Sequence, residues 1–208
     1  MFARLAASGG RAVVVEMSAP GGWTLAAHAD SPDTAQMIGS SRHDYIVLQE
    51  QSQVPSLASE RSETMYPAAR RLVAMTRANG AIPIFFITWA HRDGWPESGL
   101  RTYEDMQFQV DDGYLGIARE LGAVSAPVGV AWLMAGRGDS QLDLWQADGS
   151  HPSVLGTYLA ACVFYATVFR ETPEGLKYSA GLPQATAGAL QSIASDAVLS
   201  NPGQWNLP

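Results

Sequence analysis

The chain has one cysteine, Cys162. A single thiol excludes an internal disulfide framework and any zinc cluster built on cysteines. Its position inside the apolar stretch from Leu155 to Phe169 reads as a buried, inert thiol. Long apolar runs are missing too, since no stretch approaches the ~20 residues of a membrane span. Positive charge is scarce: 13 Lys and Arg face 20 Asp and Glu, for a net charge of -7. With no basic patch interleaved with aromatics, nucleic acid is not an expected partner. Met1–Ser8 is no signal peptide, because it leads straight into Gly9-Gly10, so the sequence assigns no compartment. His91, Asp93, Asp148 and His151 are the set from which a metal site could be assembled. No spacing such as H-x-x-x-H supports it, and neither metal nor organic cofactor is expected.

What is present is globular. Apolar residues make up 47% and charged residues 16%, and 208 residues suffice for a single domain, 1–208, with a sizeable core. Met1 to Ser8 reads as the last turns of a helix stopped by Gly9-Gly10, an opening expected of a shortened chain. Ala12 to Met17 is a β-branched run that reads as a buried parallel strand. Ser31 and Pro32 open a short helix. Tyr45–Gln49, Ile82–Thr88 and Ala123–Ala126 read as further strands. Helices are expected over 61–79, 103–121, 128–134, 155–169 and 184–199. The segments 50–59, 89–101 and 136–151 read as loops. The alternation of helix and strand predicts βαβ units: an α/β domain with a parallel sheet covered on both faces.

In such sheets ligands bind beyond the carboxyl ends of the strands. Three segments lie there: Ser18 to Thr24, Gln49 to Gln53 and Thr88 to Asp93. The loop Asp148-Gly149-Ser150-His151 can reach the same edge. An Asp three residues before a His can fix the imidazole's tautomer and make it a general base; the alternative is that Asp148 merely caps the following helix. Gly22, lacking a Cβ, lets a backbone N–H approach a developing oxyanion, or else marks an ordinary turn. Gln51 stands among five polar residues that follow a buried strand, as an amide donor or as part of a solvated loop. Trp89 and Trp95 are candidates for an apolar wall, and His91 for a substrate contact. His28 and His43 read as surface or helix-end residues. Ser18, ending the run Val13–Met17, is a substitute nucleophile, with Ser52 and Ser150 behind it.

The order of these segments resembles the SGNH (GDSL-like) hydrolase superfamily, and most of all a bacterial group of uncharacterised SGNH proteins. The likeness runs through Leu5–Gly10, Gly21-Gly22-Trp23-Thr24-Leu25, Asp44–Ser52, Ile87-Thr88-Trp89-Ala90, Ala126–Trp132 and Asp148–Ser153, the last being the most specific. It implies a three-layer α/β/α, flavodoxin-like fold and serine ester hydrolysis of acyl esters or O-acetyl carbohydrates. His151 and Asp148 match the Asp-x-x-His block, and Gly22 matches the oxyanion glycine. Gln51 stands where the family has Asn, one methylene longer. The family's first block, a strand ending in Gly-Asp-Ser or Gly-Asn-Ser, is expected ahead of Met1, so the resemblance implies truncation and loss of the first, internal strand. Ser18 lies four residues before Gly22, too close for the family's spacing. The vacated edge, at about 1–3 kcal/mol per unsatisfied backbone group, invites a partner's strand or strand exchange between two copies. A non-catalytic ligand- or partner-binding protein is the alternative reading.

Overall fold

The computed structural model describes residues 1–40, 42–137 and 142–207. Three short apolar runs form a parallel sheet in the order β1 (Tyr45–Leu48), β2 (Ile82–Phe86), β3 (Val124–Ala126). Tyr45 pairs with Ile82 and Ile84 with Val124. Successive strand side chains point to opposite faces. Ile84 therefore enters one core and Phe85 the other. One face is covered by α1 (Phe2–Ser8), α7 (Val128–Arg137), α8 (Val154–Phe169) and α9 (Gln184–Leu199). The other is covered by α2 (Leu25–Asp30), α3 (Pro32–Ser40), α5 (Tyr66–Ala78) and α6 (Tyr103–Leu121). The result is three layers, α/β/α. Cys162 is buried in α8, where desolvation pushes its thiol up to about 12 and keeps it unreactive.

The sequence pattern misplaces one element. Ala12 to Met17 is not a strand: it carries no regular structure, and Val14 and Met17 are 93% and 83% exposed. A strand exists only through a neighbour's N–H and C=O groups, and this run makes no backbone hydrogen bond with a described strand. The same lack is visible on β1, an edge strand whose central Val47 keeps 45% of its surface exposed. The expected helix 61–79 is also broken up. A turn of α4 (Ala58–Glu60) passes into a π-helical turn, Arg61–Met65, before α5 begins. Pro67 has no N–H to give to the preceding turn, which widens instead. Within the expected loop 136–151, Gly136 and Arg137 belong to α7, and residues 138–141 lie outside those described.

Candidate active site

Loop 143–153 ends at α8, whose first turn is capped by Ser153: its Oγ accepts the Gly156 N–H at 3.3 Å. Capping therefore makes no demand on Asp148. Gly149 takes a positive φ of 69°, which lets the loop curl back on itself. Asp148 Oδ1 then accepts the N–H groups of Ser150 and His151, both at 2.9 Å. Its Oδ2 lies 2.7 Å from His151 Nδ1. These bonds, the Ser150 N–H foremost, draw the carboxyl down to about 2, so it stays ionised and holds the proton on Nδ1. The His151 side chain is 74% exposed, and among the described residues no hydroxyl meets its Nε2.

A run of hydrogen bonds ties this pair to the ends of β1 and β2. Trp89 Nε1 donates to the Ser150 carbonyl at 2.9 Å, and the Arg92 N–H to that of Gly149 at 2.8 Å. Beneath them Trp89 stacks on Trp132 at 4.2 Å, and Trp145 meets Trp132 edge-on at 4.9 Å. Trp145 Nε1 donates to the Ala90 carbonyl, closing an aromatic bracket under both loops. Trp89 thus supports the site rather than standing free as a wall. Next to it, His91 Nε2 lies 3.3 Å from Ser52 Oγ. Burial lowers the His91 pKa, with nearby Asp148 opposing and His151 reinforcing the shift. His91 is therefore close to the Asp148–His151 pair.

Ser52 belongs to the loop after β1. Gln51 Oε1 accepts the Gln53 and Val54 N–H groups at 2.9 and 3.4 Å, which fixes the amide against its own turn. Its Nε2 has one weak partner, Gln53 Oε1 at 3.3 Å. Gly22 is exposed with φ of 75°, and open space lies where a Cβ would stand. Glu50 joins the two loops: its Oε1 accepts the Leu25 N–H at 3.0 Å and the Gln51 N–H at 2.8 Å. The structure thus brings His91, Asp148 and His151 together beyond the end of β2, with Ser52 joining them from the loop after β1. Glu50 ties Gln51 to Leu25, three residues after Gly22, and among the described residues no hydrogen bond links Gly22 or Gln51 to the Asp148–His151 pair. Ser18 lies on the exposed segment and makes no hydrogen bond with a described histidine. Trp95 packs on the α5–α6 side, paired with Leu100. His28 bonds Thr34 at the end of α2, and His43 bonds Glu16. Among the described residues no group of three or more His, Cys, Asp or Glu could hold a metal ion, and no helix is long and apolar enough to cross a membrane.

Two supports escape a reading of the sequence. Gln107 of α6 is wholly buried; it accepts the Ala90 N–H at 2.7 Å and donates to the Thr88 carbonyl and to Asp111. Glu50 is buried behind the cluster. Desolvation raises both acids, Glu50 from 4.5 to about 7 and Asp111 from 3.8 to about 7. A raised carboxyl favours the folded state while protonated, so its stabilisation is complete below the unfolded value and fades as pH rises through the folded one. The melting temperature, followed by calorimetry, should accordingly fall as pH rises from about 4 to about 7. Glu50→Gln and Asp111→Asn should each flatten part of that slope.

No family model and no curated protein matches the chain. Two solved structures do. One is a DUF4886 family protein from Bacteroides uniformis, 18% identical, covering 96% of this chain and 88% of that one with a TM-score of 0.77. The other is described as a putative SGNH hydrolase from Slackia heliotrinireducens, 29% identical, covering 79% of this chain and 89% of that one with a TM-score of 0.64. The fold is SGNH-like. The likeness to the second structure supports a hydrolase fold; it says nothing of substrate.

Proposed function

We propose that this chain carries the acid–base and oxyanion parts of an SGNH-type serine ester hydrolase. The observation behind it is the Asp148–His151 pair at 2.7 Å, hydrogen-bonded through Trp89 and Arg92 to the strand ends. The serine comes from a strand seated on the open edge of β1, a strand that the described residues do not supply. Its Oγ attacks the ester carbonyl while His151 Nε2 takes the hydroxyl proton, and Asp148 steadies the resulting imidazolium. The oxyanion is met by the serine and Gly22 N–H groups and the Gln51 amide. His151 returns the proton to the departing alkoxide. Water then cleaves the acyl-enzyme by the reverse route, releasing the carboxylic acid. The substrates are acyl esters or O-acetyl carbohydrates, and no metal or organic cofactor takes part.

The test is p-nitrophenyl acetate hydrolysis by the 208-residue chain and by the same chain joined to a strand ending in Gly-Asn-Ser. The first should match buffer and the second should turn over. An inert completed protein that nonetheless melts cooperatively at higher temperature would favour the other reading of this edge, a surface that binds a partner's strand without catalysis.

A further inference from the structure

Glu50 is the most deeply buried charged side chain near the cluster, at 1% exposure, yet among the described residues it has no cationic partner. Its two oxygens behave differently. Oε1 accepts two backbone N–H groups, one from Leu25 at the start of α2, directly after the loop carrying Gly22, and one from the loop carrying Gln51. Oε2 is buried with no hydrogen-bond partner. An sp² carbonyl oxygen has two lone pairs, both used on Oε1, so the proton of a neutral carboxyl belongs on Oε2. An apolar side chain at position 50 would take the acceptor from the Leu25 and Gln51 N–H groups, the first of them at a buried residue.

We propose that Glu50 is a positioning residue for the oxyanion side of the site, one whose Oε1 holds the Gly22 loop and the Gln51 loop in register. It touches neither substrate nor reacting atoms; it sets the separation of the two groups that would. The titratable groups it feels are Glu60 of α4, which disfavours its ionised form, and Tyr114 of α6, whose hydroxyl accepts the Glu50 N–H at 2.8 Å. From α2 it meets backbone. Glutamine reproduces the neutral carboxyl atom for atom: the same two-lone-pair oxygen, with an NH2 where the protonated Oε2 stood. Alanine removes the acceptor, and aspartate is a methylene too short to span both loops.

The role takes its purpose from the hydrolase reading, but its test needs no turnover. Amide resonances and hydrogen exchange at Leu25 and Gln51 are followed by NMR from pH 5 to 9 in the wild-type chain, Glu50→Gln, Glu50→Ala and Asp111→Asn. In the wild type both amides should titrate with one shared midpoint near 7, which Asp111→Asn leaves in place. Glu50→Gln should abolish the midpoint and keep both amides protected. Glu50→Ala should speed exchange at both together, by about tenfold or more. Different midpoints for the two amides, or a Glu50→Gln variant as loose as Glu50→Ala, would overturn the proposal. So would unchanged exchange in Glu50→Ala. If Glu50→Ala does not fold, the glutamine variant and the shared midpoint still decide.

Discussion

His151→Ala, made in the chain completed with a serine-bearing strand, should lower kcat/KM for p-nitrophenyl acetate by at least about a thousandfold. The imidazole is the proton acceptor and donor in both half-reactions, so nothing nearby replaces it. Asp148→Asn should cost less, about a hundredfold. An Asn can turn its NH2 toward Nδ1 and force the wrong tautomer, but Asp148 is half-exposed, and solvent screens part of its charge. His91→Ala should cost no more than about tenfold, since His91 faces Ser52 rather than the Asp148–His151 axis. The ranking is the informative part. A His91 effect larger than that of His151 would move the base to the Ser52–His91 contact and reassign the nucleophile with it.

Gln107→Leu should destabilise the fold by roughly 3 kcal/mol, read as a lower urea midpoint with an unchanged slope. Leucine matches the volume but leaves the Ala90 N–H without its acceptor and the Thr88 carbonyl without its donor, at about 1–3 kcal/mol each when buried. It also strips Asp111 of the amide that partly offsets its burial. Little room exists to relax, since a Cβ on Gly129 would already meet the Gln107 amide and the Thr88 carbonyl at 2.2 Å. Gln107→Glu separates the two functions of the side chain: it retains the acceptor for Ala90 while setting a second carboxyl beside Asp111. It should therefore be tolerated at low pH and poorly tolerated above neutrality. Such a loss is a large share of the 5–15 kcal/mol that holds a domain of this kind together.

The layers and the Asp148–His151 contact were legible because their signals are local. Ile84 and Phe85 point to opposite cores by strand alternation alone, and Asp148 reaches His151 within one curl of chain. Ala12–Met17 misled because its composition describes a strand while pairing depends on a neighbour elsewhere. The aromatic bracket of Trp89, Trp132 and Trp145 joins three separate loops and helices, and no spacing announces it. Glu50 and Gln107 look like ordinary polar residues in the chain. Glu50 is buried where Leu25 of α2 and Tyr114 of α6 meet it, and Gln107 where α6 meets Thr88, Ala90 and Gly129, so they become visible only with tertiary structure. Pro67, by contrast, was a signal available in the sequence for the π-helical turn before α5.

The most direct measurement is the crystal structure of the strand-completed protein after reaction with a fluorophosphonate, which traps a serine nucleophile as a tetrahedral adduct. The account predicts the adduct on the strand's serine, its phosphoryl oxygen within hydrogen-bond reach of the Gly22 N–H and the Gln51 amide, and His151 Nε2 facing the serine oxygen. An adduct on Ser52 or Ser18, or a serine adduct with the His151 ring turned away to solvent, would contradict it.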